Sequence, residues 1–337
     1  MQRRPVRKSV GKKKTEEGYG RGEHSIDLDD DVLIDEAAIK ERILAAFNAP
    51  DYRPPTLPST ALELVRLSSD NEVAFDDVVS LLERDSMLAG RVLRIAQSPV
   101  YAGAAQVQSL RDALVRLGLT TLRDLVLEVA MNLRVFRAPA YAGPMERIRR
   151  HCNATGHLSR LVSRYTPIEA EYAFLCGLLH DVGTACILIA LGDVPRGKAA
   201  PDLSVLWPAI DGTHEEAAGL ITKLWNLPPE IPLVVAAHHC VLIEGYAHPM
   251  AATVCLAERL ADDLGLGLVP RRNGEGENEK PADLADLEIH DQTDRSSDIT
   301  VERAREALQI NDQTMQLIER EAVECIESLL APESSPA

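Results

Sequence analysis

His180 and Asp181 stand side by side inside the apolar run Ala173-Phe-Leu-Cys-Gly-Leu-Leu-His-Asp-Val-Gly-Thr-Ala-Cys-Ile-Leu-Ile. A merely polar group left unpaired in such surroundings costs on the order of 1–3 kcal/mol, and a charge costs more. A divalent metal or a tight hydrogen-bond network would satisfy the pair. The choice between them separates an enzyme from a binding module.

More residues of the same chemistry recur along the chain. His151 precedes Ala154 by three positions in a segment where Ala154, Leu158, Leu161, Val162 and Tyr165 repeat at helical spacing, so it belongs to the inward face. His157 falls opposite and is expected to face solvent. His214 shares a face with Ala217, Ala218, Ile221 and Trp225, on a helix whose start reads as a capping box of Thr213 and Glu216. A segment from Ile231, with proline in its first turn, carries His238 on the stripe of Ile231, Val234 and Val235, with His239 beside it. Glu258 and Asp262 lie four positions apart on a further helix. One such histidine alone would be an ordinary core residue. Five helices each contributing a nitrogen or carboxylate ligand form a set suited to Mn, Fe, Co, Ni or Zn, enough for one or two ions. Two such ions would lie about 3.5–4 Å apart and activate water for attack on phosphorus.

The elements that must position these groups are helical. The predicted fold class is all-α, with few stretches that look like strands. Residues 1–31 form a tail, basic through Arg3, Arg4, Arg7, Lys8, Lys12, Lys13 and Lys14, then acidic at Asp27, Asp29, Asp30 and Asp31. Residues 32–138 make a first helical lobe, opening with a helix from Val32 to Phe47 and containing a loop at Tyr101-Ala-Gly-Ala-Ala. Its Arg84, Arg91, Arg94 and Arg111 read as a solvated face with local ion pairs. The breaker cluster Ala138-Pro-Ala-Tyr-Ala-Gly-Pro marks the change to a histidine-bearing lobe over 139–265. Residues 266–299 are polar and glycine-rich and read as a flexible insertion. Helices return over 300–331, at Val301 to Leu308 and Asp312 to Leu330, packing on the second lobe.

The order His…His-Asp…His…His-His…Glu resembles the HD phosphohydrolase superfamily, and its surroundings resemble the HDOD (HD-related output domain) branch. The resemblance rests on Leu57-Pro58 with Ala61-Leu-Glu-Leu-Val, on Val78 to Ala96, and on Ser109-Leu-Arg-Asp-Ala-Leu-Val-Arg-Leu-Gly. Gly177-Leu-Leu-His-Asp-Val-Gly and Leu224-Trp-Asn-Leu-Pro-Pro-Glu-Ile followed by His238-His239 complete it, over about residues 50 to 265. It implies a two-lobed helical output domain of bacterial signalling that acts through another signalling protein, without established catalysis. Ligands to a metal, on this resemblance, would be His151, His180, Asp181, His214, His238, His239 and Glu258, or the ion is lost altogether. The alternative it implies is a metal-dependent phosphohydrolase of a nucleotide or cyclic dinucleotide, with Asp181 also orienting the attacking water. Two departures favour the non-catalytic reading. Thr184 stands where catalytic relatives have a phosphate-binding lysine, and Gly245-Tyr246-Ala247-His248-Pro249 only echoes the Gly-Tyr-Pro signature.

The 337 residues carry a net charge of −16, with 45 % apolar and 4 % aromatic residues. This excludes broad nucleic-acid binding, except through the basic tail, and gives little for base stacking. No uninterrupted apolar run reaches membrane-spanning length, and the expected location is cytoplasmic. Cys152, Cys176, Cys186, Cys240, Cys255 and Cys325 contain no Cys-x-x-Cys pair and read as reduced cysteines.

Overall fold

Asp35 starts the first helix by accepting the Ala37 N–H at 3.0 Å, and Ile39, Ile43 and Phe47 follow at four-residue spacing on its buried side. The computed structural model describes residues 26, 35–67, 74–97, 107–194, 199–268 and 298–330. The basic and acidic tail (Ile26 excepted), the Tyr101 loop and most of the glycine-rich stretch (269–297) lie outside the described residues. The described chain is all-α apart from one hairpin: α1 Glu36–Asn48, α2 Ser59–Leu67, α3 Phe75–Glu83, α4 Ser86–Ala96, α5 Leu110–Arg134, α6 Ala142–Ser163, α7 Ala170–Leu179, α8 Val182–Gly192, α9 Leu203–Asp211, α10 His214–Leu224, α11 Glu230–Val235, β1 Leu242–Ile243, β2 Tyr246–Ala247, α12 Pro249–Asp263, α13 Asp298–Leu308 and α14 Asp312–Leu330.

Local chemistry sets several of these boundaries. Asp85 caps α4 by accepting the N–H groups of Met87 and Leu88, both at 3.1 Å. A capping box of Ser109 and Asp112 opens α5. Gly118, at φ 75°, then breaks α5 into two segments; a side chain there would be strained, so glycine is the residue that permits the turn. The expected box at Thr213 does not form. α9 ends directly before it, and the Thr213 hydroxyl donates back to the Ala209 carbonyl at 2.7 Å instead of capping α10. The hairpin was not foreseen as strands; Glu244 (φ 53°) and Gly245 (φ 84°) supply the two left-handed residues that a tight turn between β1 and β2 requires.

One large apolar core joins α1–α11, with Leu64, Leu114, Ile148, Phe174, Leu188 and Ile221 fully inside it. A second core joins α6 and α12 to α13 and α14 through Leu158, Val162, Leu256, Ile318 and Ala322. Each of the leucine, isoleucine, valine and phenylalanine side chains among them contributes about 1.5–3 kcal/mol through burial. Trp225 ties the two ends of the first core together by donating its indole N–H to the Pro55 carbonyl at 2.8 Å. Among the described residues one stretch, Tyr172–Gly192, is long and apolar enough to cross a membrane, but it is 94 % buried within the protein and is its central core segment. The arginine face of the first lobe carries ion pairs, Arg84 with Glu63 and Arg111 with Asp76. All six cysteines are free; Cys240 is exposed rather than a core residue.

Candidate metal centre

Packing without room for side chains brings the site's elements together. A Cβ on Gly177 would lie 2.4 Å from Ser159 Oγ and 2.6 Å from the Thr155 carbonyl, so α7 crosses α6 in close contact only because this residue is glycine. A Cβ on Gly183 would lie 2.0 Å from the His214 carbonyl, so α8 meets the start of α10 in the same way. Between these two crossings the chain turns from α7 into α8, and His180 and Asp181 occupy that turn.

All seven predicted residues converge. His151 projects from α6, His214 is the first residue of α10, and Glu258 comes from α12. His238 and His239 do not sit on the helix expected for them: α11 ends at Val235, and the pair occupies the turns that follow. Val241 then adopts φ 62°, a left-handed conformation costly for a β-branched residue, which redirects the chain from the histidine pair into the hairpin. Asp262, one turn beyond Glu258, lies against Gly267 instead. His157 does not face solvent as expected; it packs against α5, 2.6 Å from Glu128 Oε1 and edge-on to Phe174.

Four rings share one arrangement. The Nδ1 atoms of His151, His180, His214 and His238 donate to the carbonyls of Leu266, Gly177, Asp211 and Val235 at 2.9, 2.7, 2.5 and 2.7 Å. A carbonyl only accepts, so each Nδ1 carries a proton, and each ring turns its Nε2, the atom that a singly protonated ring leaves bare, inward. The Nε2 atoms of His151 and His180 are 3.1 Å apart, and those of His214 and His238 are 3.4 Å apart. Two lone pairs facing each other at such distances repel, and a cation relieves the contact.

Asp181 lies between the two histidine groups. Its Oδ1 is 3.5 Å from His214 Nε2, and its Oδ2 is 3.7 and 3.8 Å from His180 and His151 Nε2. The ligand atoms of His151, His180 and Glu258 lie within 4.8 Å of one another, as do those of His214, His238 and His239, and those of His180, Asp181 and His238. Glu258 approaches His239 Nε2 at 3.2 Å and His151 Nε2 at 4.0 Å. The residues therefore fit a metal by the facing lone pairs of His151 with His180 and of His214 with His238, in a mixed nitrogen and carboxylate donor set.

Burial pushes His180, His214 and His238 below the ordinary imidazole value, His238 furthest, which keeps them in the form that binds metal. Burial would also depress His239, but the Glu258 carboxylate outweighs it and raises His239 to about 9. Burial would raise Glu258, and His239 in turn holds it well below the usual carboxylate range. Burial would raise Asp181, and the charge on His180 and His214 once they are protonated at acid pH holds it low.

Thr184 is buried and donates its hydroxyl to Asp181 Oδ1 at 3.3 Å. No lysine or arginine among the described residues pairs with Asp181, Glu215 or Glu258. Glu215 was not foreseen; it follows His214 directly, and its Oε1 accepts the His239 N–H at 3.2 Å. Adjacency to a candidate ligand was the only signal for it.

A family model described as HDOD domain matches residues 55–241. An uncharacterized protein of Treponema pallidum (strain Nichols) is 25 % identical over 194 residues, 55 % of this chain but only 37 % of that protein. Among solved structures, an HDOD domain protein of unknown function from Geobacter sulfurreducens is similar at 22 % identity and a TM-score of 0.52, covering 88 % of this chain and 98 % of that one. A protein from Shewanella amazonensis SB2B, provisionally named a metal-dependent phosphohydrolase, reaches a TM-score of 0.59 at 16 % identity over 87 % of this chain and 98 % of its own. One from Marinobacter aquaeolei VT8, provisionally named a signal transduction protein, reaches 0.57 at 20 % identity over 91 % of this chain and 66 % of its own. At these identities the solved structures establish the fold.

Proposed function

This chain belongs to the HDOD domain family, whose model covers more than half of it, and from that premise we propose that it is a signalling output module that holds one or two divalent ions and works by binding another protein, without phosphohydrolase turnover. The observation that carries the metal is the convergence of Nε2 atoms whose Nδ1 partners are all carbonyls. His151, His180 and Glu258 would hold one ion, His214, His238 and His239 a second, and Asp181 would serve both. A bound ion would supply Lewis acidity and water activation.

What surrounds that centre supports a reading without turnover. Thr184 carries no positive charge, and its hydroxyl is engaged by Asp181. Among the described residues the acids of the centre pair with histidines and with no lysine or arginine, which favours a site without a charge-assisted phosphate anchor. A role in signalling is consistent with the name of the Marinobacter aquaeolei relative.

The second reading, a metal-dependent phosphohydrolase, is favoured by one observation: the ligand set is complete, with a carboxylate between two histidine groups. Elemental analysis of wild type and His180→Ala, alongside hydrolysis of bis(p-nitrophenyl) phosphate, tests both. Stoichiometric metal lost in the variant, with no hydrolysis, is the expected result. Metal-dependent hydrolysis by wild type would overturn the non-catalytic reading, and a folded metal-free wild type that takes up no added ion would overturn the metal.

A further inference from the structure

The histidine pair at 238–239 has no helix to hold it, since α11 stops three residues before His238. What does hold it comes from α10. A Cβ on Gly219 would lie 2.9 Å from Ala236 Cβ and 3.2 Å from the Pro232 carbonyl, so α10 and α11 pack at backbone distance there. Glu215 lies four residues before Gly219, on the same face of α10 and one turn nearer the site. From that position its Oε1 accepts the His239 N–H at 3.2 Å and lies 3.9 Å from His238 Nδ1. The carboxylate spans from the helix that carries His214 to the turn that carries His238 and His239, so one side chain ties together all three ligands of one group.

We infer that Glu215 is the positioning residue of this group: through the His239 amide it fixes the turn that presents His238 and His239 toward His214. Its consequence for metal rests on the proposed ion; the contact itself does not. Outer partners that orient ligands typically change metal affinity by about 10- to 100-fold when removed. The hydrogen bond requires an acceptor oxygen and not a charge, which glutamine also supplies at the same length.

Glu215→Ala and Glu215→Gln should be compared with wild type in two measurements: titration with Mn²⁺ alone, and hydrogen exchange of the His239 amide in chelator-treated protein. Glu215→Ala is expected to weaken the second equivalent of Mn²⁺ about tenfold or more and to speed exchange at His239, whereas Glu215→Gln preserves both. Unchanged exchange in Glu215→Ala overturns the inference. So does a Glu215→Gln variant that weakens Mn²⁺ as much as alanine, since charge rather than the hydrogen bond would then be the agent. If wild type takes up no Mn²⁺ while alanine still frees the amide, the metal reading fails and the role of Glu215 stands.

Discussion

Asp124 and Asp181 are both almost fully buried, and they are satisfied in opposite ways. Asp124, on α5, accepts from Arg123 at 3.0 and 2.7 Å and from Arg160 across on α6, whose guanidinium lies 4.4 Å over the Phe174 ring. Among the described residues Asp181 meets the Thr184 hydroxyl and three imidazole nitrogens at 3.5 to 3.8 Å. Arginine brings a permanent charge and its own donors, so the Asp124 carboxylate is satisfied as it stands. Neutral imidazoles bring lone pairs, so the second is complete only with a cation. A buried carboxylate alone does not mark a functional site; the character of its neighbours does.

The largest effect that would sharpen this contrast is on stability. Asp124→Ala removes the carboxylate that two guanidiniums share and should cost about 3–5 kcal/mol in denaturant unfolding, while leaving metal content unchanged. Asp181→Asn should do the reverse, abolishing metal uptake with a much smaller change in the stability of the metal-free protein. A comparable loss of stability in both metal-free variants would break the comparison.

Next in size is stabilisation by the ion. Free metal at 100 times its Kd should add about 2.7 kcal/mol to wild type and nothing to Asp181→Asn, read as a shift of the unfolding midpoint with and without chelator.

The pH dependence of the chelated protein has a defined sign. His180, His214 and His238 titrate below 6.5 when folded, so the unfolded chain binds more protons as pH drops below 6.5 and stability falls there. Asp181 and Glu258, both held low, contribute stability above their unfolded values of 3.8 and 4.5 that is lost as pH falls through their folded values. His239, raised to about 9, contributes stability below 6.5 that is lost as pH rises through about 9. Unfolding midpoints measured from pH 5 to 10 should therefore peak near 6.5, falling below it through His180, His214 and His238 and between 6.5 and about 9 through His239. Metal binding near neutrality should release about one proton, from His239, detectable as a dependence of the titration heat on buffer. The smallest effect is expected of Thr184→Val, which removes one hydroxyl from Asp181 and should cost about 1 kcal/mol without loss of metal.

The sequence made the inward histidines legible because helical periodicity reports faces directly: His151 three before Ala154 and His214 three before Ala217 both point into the core. Periodicity does not report what covers the other face. His157 lies opposite His151 as spacing requires, yet α5 rather than water meets it there. The histidine pair was placed on a helix because Val234 and Val235 continue the stripe, whereas the left-handed Val241 and the hairpin take the chain away. Thr213 was misread because its competing acceptors belong to the preceding helix. Glu215 carried no periodic signal at all, since its partner is a backbone amide 24 residues away.

The apolar segment Tyr172–Gly192 has one further consequence, which concerns the chain before it is folded. During synthesis this segment emerges ahead of α10, α11 and α12, which later cover it, and for that interval its length and composition suit a lipid bilayer. Asp181 sits near its midpoint. An aspartate at the centre of an inserting helix adds roughly 2.5–3.5 kcal/mol to the cost of insertion. The aspartate that helps gather the centre in the finished molecule thus also raises the cost of inserting the nascent segment into a bilayer.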